Sequence, residues 1–207
     1  MNIAVIAANG RLGKAFVERA LAEGHTIRAG IRGNSSLTPH KRLTSILCDA
    51  TNPSDLKALI EGQDAVVSCI GHVKNSAPDV QTVAAHVLVK VMNELDMKRF
   101  VTVTGTGVRF PGDNISLVDR VLNLAVATID PNRVNDGLNH TKVLQQSDLD
   151  WTLIRLLKLQ NGNPQPFSLK LNGPTKWYVA REEVAGAMLQ VLTENTFIKQ
   201  APIISRP

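Results

Sequence analysis

Two rhythms of apolar and polar positions alternate along this 207-residue chain. Short apolar runs of strand length are followed by stretches in which apolar residues recur every three or four positions, as on one face of a helix. The runs are Ile3–Ile6, a second ending at Ile31-Arg32, Leu43–Leu47, Ala65–Ile70, Phe100–Thr104 and Trp151–Ile154. Helical patterns cover the residues after Gly13, a short stretch opened by Pro53 with Thr51 or Asn52 as its cap, and Asp79–Leu95. Two more, Leu117–Ile129 and Arg133–Gln146, are broken at Asp130-Pro131. From Leu157 to Pro174 the pattern loosens into Gly, Pro, Asn and Gln. A last helix is expected over Glu182–Thr193 and a short strand near Pro202–Ser205.

Strands that alternate with helices need parallel neighbours joined by right-handed crossovers. The pattern therefore predicts an α/β fold, a single Rossmann domain over residues 1–207. Its doubly wound, mainly parallel sheet is expected in the order 3-2-1-4-5-6, with a short C-terminal strand added. The irregular segment at about residues 157–180 would wall a substrate cleft. Leu156, Leu157, Phe167 and Trp177 offer it apolar surface for a planar ligand; Phe167 and Trp177 read equally as core anchors.

The first strand runs into Ala7-Ala8-Asn9-Gly10-Arg11-Leu12-Gly13, a Gly-x-x-Gly-x-x-Gly turn with alanine in the first place. Such a turn lets backbone amides and a helix N-terminus approach a pyrophosphate, which points to a dinucleotide. The Ala7 methyl weakens the match. Where NAD-preferring sites place a carboxylate for the ribose hydroxyls, this chain has Arg32. A guanidinium there pairs with a 2′-phosphate and stacks on adenine, favouring NADP(H) over NAD(H). Arg11, Ser35 and Ser36 are candidates for the same phosphate. The bland alternative makes Arg11 and Arg32 ordinary surface charges.

With 43% hydrophobic and 20% charged residues, the composition suits one well-cored domain and excludes a disordered chain. No apolar run reaches the length of a membrane span, and the N-terminus lacks the basic region of a signal peptide. A soluble cytoplasmic protein is expected, with Cys48 and Cys69 as buried free thiols. The net charge is +5 and the pI about 9.4, but the cations are scattered. That pattern suits an anionic cofactor better than nucleic acid. No metal site is assigned.

In order and spacing, several segments resemble the atypical short-chain dehydrogenase/reductases, single-domain NAD(P)H-binding proteins that include NmrA-like members. They are the glycine turn, Ile31-Arg32, Leu47-Cys48-Asp49, Gly62–Val67, Cys69-Ile70-Gly71, and Lys142-Val143-Leu144 through Trp151-Thr152. The flavin reductase/biliverdin reductase B branch looks most similar. The resemblance implies that Asp49 and the Ala50 backbone meet adenine, while Cys69, Ile70 and Gly71 lie along the ribose and pyrophosphate. Asp49 also reads as a cap for Thr51-Asn52-Pro53, and His72 as a solvated loop histidine.

The usual Tyr-x-x-x-Lys pair is absent: Tyr178 lies far downstream, and Leu138 stands four residues before Lys142. The branch's serine falls on Gly105 and its histidine on Thr141, with His140 adjacent. Candidate catalytic residues are thus Thr104, Thr106 and His140, with Thr104 also a cofactor contact; each has an equally open structural reading. Two functions follow. One is an NADP(H)-dependent oxidoreductase passing hydride to a flavin, quinone or similar planar acceptor, where positioning replaces an acid. The other is a catalytically silent, NmrA-like NADP(H)-sensing regulator. A nucleotide-sugar epimerase is disfavoured, because it needs the missing tyrosine. The oligomeric state is left open.

Overall fold

Ile3, Ala4, Val5 and Ile6 are all buried, because strand β1 (Asn2–Ile6) runs through a parallel sheet covered on both faces. A strand packed on both sides needs a continuous apolar run rather than alternation. A computed structural model describes residues 1–73 and 76–207. Beside β1 lie β2 (Thr26–Ile31) and β3 (Leu43–Leu47) on one side, and β4 (Ala65–Ser68), β5 (Arg99–Gly105) and β6 (Asp150–Leu156) on the other. The expected order 3-2-1-4-5-6 is thus observed, with every one of these pairs parallel.

One face is covered by α1 (Arg11–Ala22) and α6 (Arg181–Thr193), whose Phe16, Val17, Val184 and Met188 join Ile3, Val5 and Ile27 in one core. The other carries α2 (Pro53–Ile60), α3 (Val80–Glu94) and α5 (Pro131–Gln145), packing Leu56, Leu59, Leu88, Met92 and Leu144 on Ala4, Val66 and Phe100. Asn52, not Thr51, caps α2: its side chain accepts from the Ser54 and Asp55 amides. Asp130 ends α4 (Leu117–Ile129) and caps α5 through the Arg133 amide, with Pro131 in the first turn.

Three short strands depart from the sequence expectation. Within the loose segment, β7 (Leu159–Gln160) pairs with β9 (Val179–Ala180), apart from the main sheet. β8 (Ser168–Lys170) joins the main sheet's edge, antiparallel to β10 (Ile203–Ser205), which itself runs parallel to β6. Strands of two or three residues are too short to show a period in sequence. Among the described residues no helix is long and apolar enough to cross a membrane.

Arg155 of β6 is completely buried. Its Nη1 and Nη2 donate to the two Asp113 carboxylate oxygens at 2.5 and 2.8 Å. The remaining donors reach the carbonyls of Val108, Leu171 and Ala201, and the guanidinium lies 4.8 Å from the Phe110 ring centre. Burial pushes the Asp113 carboxyl up, but the Arg155 hydrogen bonds, the Phe110 amide and the Arg155 charge outweigh it and hold it low.

Breaking such a pair from one side leaves a buried, uncompensated charge. Asp113→Ala is expected to cost about 3–5 kcal/mol, read as a lower urea midpoint at unchanged slope. Because the folded carboxyl titrates low, the pair's contribution is complete above the unfolded value of about 4. It is lost as pH falls through the folded value. The variant's stability should therefore vary less with pH in that acid range than the parent's.

Candidate functional site

At the end of β1 the chain turns through Ala7, whose φ of 59° lies in the left-handed region. The position has kept the conformation that favours glycine while holding a methyl group, at a cost of about 1–2 kcal/mol. The Gly10 amide donates to the Ala7 carbonyl at 3.0 Å, and α1 begins at Arg11. A Cβ on Gly13 would lie 2.4 Å from the Ala7 carbonyl oxygen and 2.8 Å from Ala8 backbone, so only glycine allows α1 to rest here. Leu12 points into the core. Among the described residues no side chain caps α1 at its N-cap Gly10, and its first turn holds no carboxylate. Its early amides therefore remain uncapped by side chains, in a backbone cradle fit for an anion.

Asn9 ties this turn to the loop after β2. Its amide nitrogen donates to the Asn34 carbonyl at 2.8 Å, and its oxygen accepts from the Ser36 amide and hydroxyl at 3.0 and 3.1 Å. Arg32 stands exposed at the start of that loop. Its charge helps hold the Asp49 carboxyl low, after the larger effects of the Thr51 amide and hydroxyl, which Asp49 accepts at 2.9 and 2.8 Å. The structure thus gives Asp49 the capping role and leaves the Arg32 guanidinium beside it. Ala50 is half-buried against the α2 side of the core.

At the end of β4, Cys69 is buried, with its thiol pushed up to about 12 by burial, and its amide donates to the Ile6 carbonyl. The Ile70 carbonyl accepts from the Gln81 side chain, and Gly71 is exposed. Cys48 is likewise a buried free thiol. His72 is not a solvated histidine. Its side chain is 8% exposed and pairs with Asp136 at 2.8 Å. Asp136 itself caps α3 from the neighbouring α5, accepting from the Gln81 and Thr82 amides and the Thr82 hydroxyl. Asp136 lies within a polar helical stretch, and nothing in the sequence marks it as facing α3. A cleft of about 560 Å³ opens between Arg11, His72, Val73, Pro78, Asn132 and Arg133. It joins the α1 N-terminus to the start of α5.

The catalytic candidates each answer to different neighbours. Thr104 is buried at the end of β5; a Cβ on Gly137 of α5 would lie 2.9 Å from its hydroxyl. Thr106 is fully buried, donating to Asp119 at 3.2 Å and accepting from Asn123 at 3.1 Å. Thr175 donates to the same Asp119 carboxylate. Thr141 spends its hydroxyl on the Gly137 carbonyl. His140 is 3% exposed, and burial pushes its imidazole down to about 4 against the pull of Asp136. Its Nδ1 has no hydrogen-bond partner among the described residues, and the residue lines a 10 Å³ void with Ser68, Gln81 and Thr102. Such a neutral, enclosed ring has no proton to give at neutral pH.

Gly105, by contrast, faces open space: a side chain there would meet no atom closer than 3.9 Å. Of the expected cleft wall, Leu156 is core and Phe167 packs against Gly186 of α6. Trp177 is 43% exposed and lines a separate 300 Å³ pocket with Thr175 and Arg206. The loose segment therefore divides its aromatics between core and surface instead of presenting one apolar wall.

A parallel 3-2-1-4-5-6 sheet with an uncapped helix cradle at the end of β1 defines a dinucleotide-binding Rossmann domain. A family model described as NAD(P)H-binding matches residues 7–195, and the chain belongs to that family. No curated protein matches it in sequence. Among solved structures it is similar to a Veillonella parvula short-chain dehydrogenase/reductase in complex with NADP. That likeness has 21% identity and a TM-score of 0.82 over 100% of this chain and 94% of that one. A Streptococcus pneumoniae protein provisionally called an NADH-flavin reductase shares 23% identity at a TM-score of 0.77, covering 99% and 98%. An oxidoreductase from Lactococcus lactis reaches 0.83 at 17% identity, covering 100% and 91%. At these identities the likeness is one of fold.

Two outcomes test this geometry. Ala7→Gly should stabilise the protein by about 1 kcal/mol by releasing the left-handed strain, whereas Gly13→Ala should destabilise it, both read by urea denaturation. His140 titrates near 4 when folded and near 6.5 when free, so the unfolded chain takes its proton first. Stability should fall by up to about 1.4 kcal/mol per pH unit as pH drops from 6.5 towards 4. His140→Gln should flatten that slope.

Proposed function

We propose that this protein is an NADP(H)-dependent oxidoreductase that delivers hydride to a flavin, quinone or similar planar acceptor. The observation that carries the reading is the cradle at the end of β1: uncapped amides, no acidic side chain in the first turn of α1, and Arg11 opening onto the 560 Å³ cleft that Arg133 and Asp130 also line. The Ala7–Gly13 backbone and Arg11 would hold the pyrophosphate. Arg32 would pair with the 2′-phosphate, with Asp49 and Ala50 at the adenine end, and Cys69, Ile70, Gly71 and Thr104 along the rest. Bound NADPH supplies a hydride, two electrons with one hydrogen nucleus, to the acceptor.

The chain's own contribution is position. Thr106 and Thr141 spend their hydroxyls on structural partners, and His140 is enclosed and neutral. An acceptor whose reduced form takes its proton from water fits such a site, and the open space at Gly105 leaves room beside β5. The same lack of an acid favours a second reading, a regulator that binds NADP(H) without turnover.

Mixing the protein with NADPH and a panel of flavins and quinones separates the two. Loss of the reduced-nicotinamide absorbance supports the oxidoreductase; tight binding with no turnover on any acceptor supports the regulator. Removing a charge-assisted phosphate pair costs about 1.5–3 kcal/mol. Arg32→Ala should therefore weaken NADP binding tenfold or more in calorimetry while changing NAD binding little. Equal losses for both cofactors would remove Arg32 from the 2′-phosphate.

A further inference from the structure

Helix α4 is inside out. Asp119 is its one fully buried residue, and Asn123, four positions on, faces inward with it. There they join Thr106 and Thr175 in a closed hydrogen-bond network. At 100° per residue the opposite face, centred near Thr128, whose hydroxyl is turned back onto the Leu124 carbonyl, presents Leu117, Val121 and Leu124, with Ile129 at its edge. These are 76%, 65%, 70% and 83% exposed. A surface helix ordinarily buries its apolar stripe and turns its polar one to water. Here polar contacts hold the inner face of the helix on the domain, and Leu117, Val121, Leu124 and Ile129 bury little of their surface in the folded monomer. Three further aliphatic residues on the helix are at least a third exposed.

We infer that this face of α4 is an interface with a second copy of the same chain. Its chemistry is self-complementary. The only charges on the helix are Asp119, which is buried, and Arg120, which lies on its flank. Charges border the strip, Arg109 and Arg120 in the cleft that Leu124 lines and Asp130 with Arg133 beyond Ile129, but none stands among its apolar side chains, and a two-fold axis sets the same apolar strip against itself. A helix that rests on lipid carries its cations along a solvated polar face; the polar face of α4 is turned into the protein and holds a carboxylate. At about 60–120 Å² per exposed aliphatic side chain, the strip offers roughly 500 Å² per copy. The pair would bury on the order of 1,000 Å², below the roughly 1,200–2,000 Å² of stable interfaces and within the range of weak, transient ones, which suits a reversible dimer. The inference does not depend on the dinucleotide chemistry.

Sedimentation velocity of the full chain from about 1 to 100 μM, spanning the range of a micromolar dissociation constant, tests it. The expected result is a monomer–dimer equilibrium with its midpoint in the micromolar range. Val121→Glu/Leu124→Glu should stay monomeric throughout, with a urea midpoint close to the parent's because both positions are solvent-exposed. Leu47→Glu, at an equally open apolar site on β3, should still dimerise. If the double variant fails to fold, Val121→Cys replaces it, and oxidation should yield a covalent dimer. A parent that is monomeric at 100 μM would overturn the inference. So would a dimer broken by Leu47→Glu but not by the α4 variant. Flotation of monomeric protein with phosphatidylcholine/phosphatidylserine vesicles, abolished by the double variant, would overturn it in favour of lipid.

Discussion

The buried guanidinium of Arg155 is the constraint on which the C-terminal half of the molecule depends. From near the end of β6 it spends its donors on Asp113, Val108, Leu171 and Ala201, which belong to the β5–α4 loop, the turn after β8 and the approach to β10. A charge taken out of water is tolerated only when every donor is answered and a countercharge is in contact. The loops therefore have little freedom to choose other positions. Through Val108 and Asp113 this fixes the exit of β5, and with it Gly105, Thr106 and the start of α4.

The N-terminal half is governed by a close approach rather than by charge. Gly13 lets α1 sit against the Ala7 and Ala8 backbone, and Asn9 binds that turn to the segment that follows Arg32. The cradle and the basic residue that would read the adenosine end therefore move as one unit. Most polar side chains near the strand ends are already engaged: Asp136 on α3 and His72, Thr106 on Asp119, Asp49 on Thr51. What remains free is backbone amide, guanidinium and space, the equipment for binding and orienting an anion-bearing ligand rather than for moving protons.

The same division explains α4. A polar network holds its inner face, so its apolar residues were released from any duty in the core. Periodicity shows that Leu117–Ile129 is amphipathic but is silent about which face turns inward. The usual assumption, apolar side in, is wrong for this helix because Asp119 finds the hydroxyls of Thr106 and Thr175 beneath it.

Residue order alone determined the six parallel strands, their arrangement about β1, the glycine turn and Arg32. Each of these rests on local rules: a both-faces-buried strand must be continuously apolar, and a tight strand-to-helix turn must be nearly side-chain free. Belonging to the NAD(P)H-binding family followed from the same segments. Tertiary structure alone decided the rest. Whether His140 is an acid or an enclosed neutral ring depends on what α3 and β5 bring against it. Likewise His72 proved a buried partner of Asp136. Ionisation and hydrogen bonding answer to neighbours distant in sequence, such as Asp136 some sixty residues from His72, and no local pattern encodes those distances.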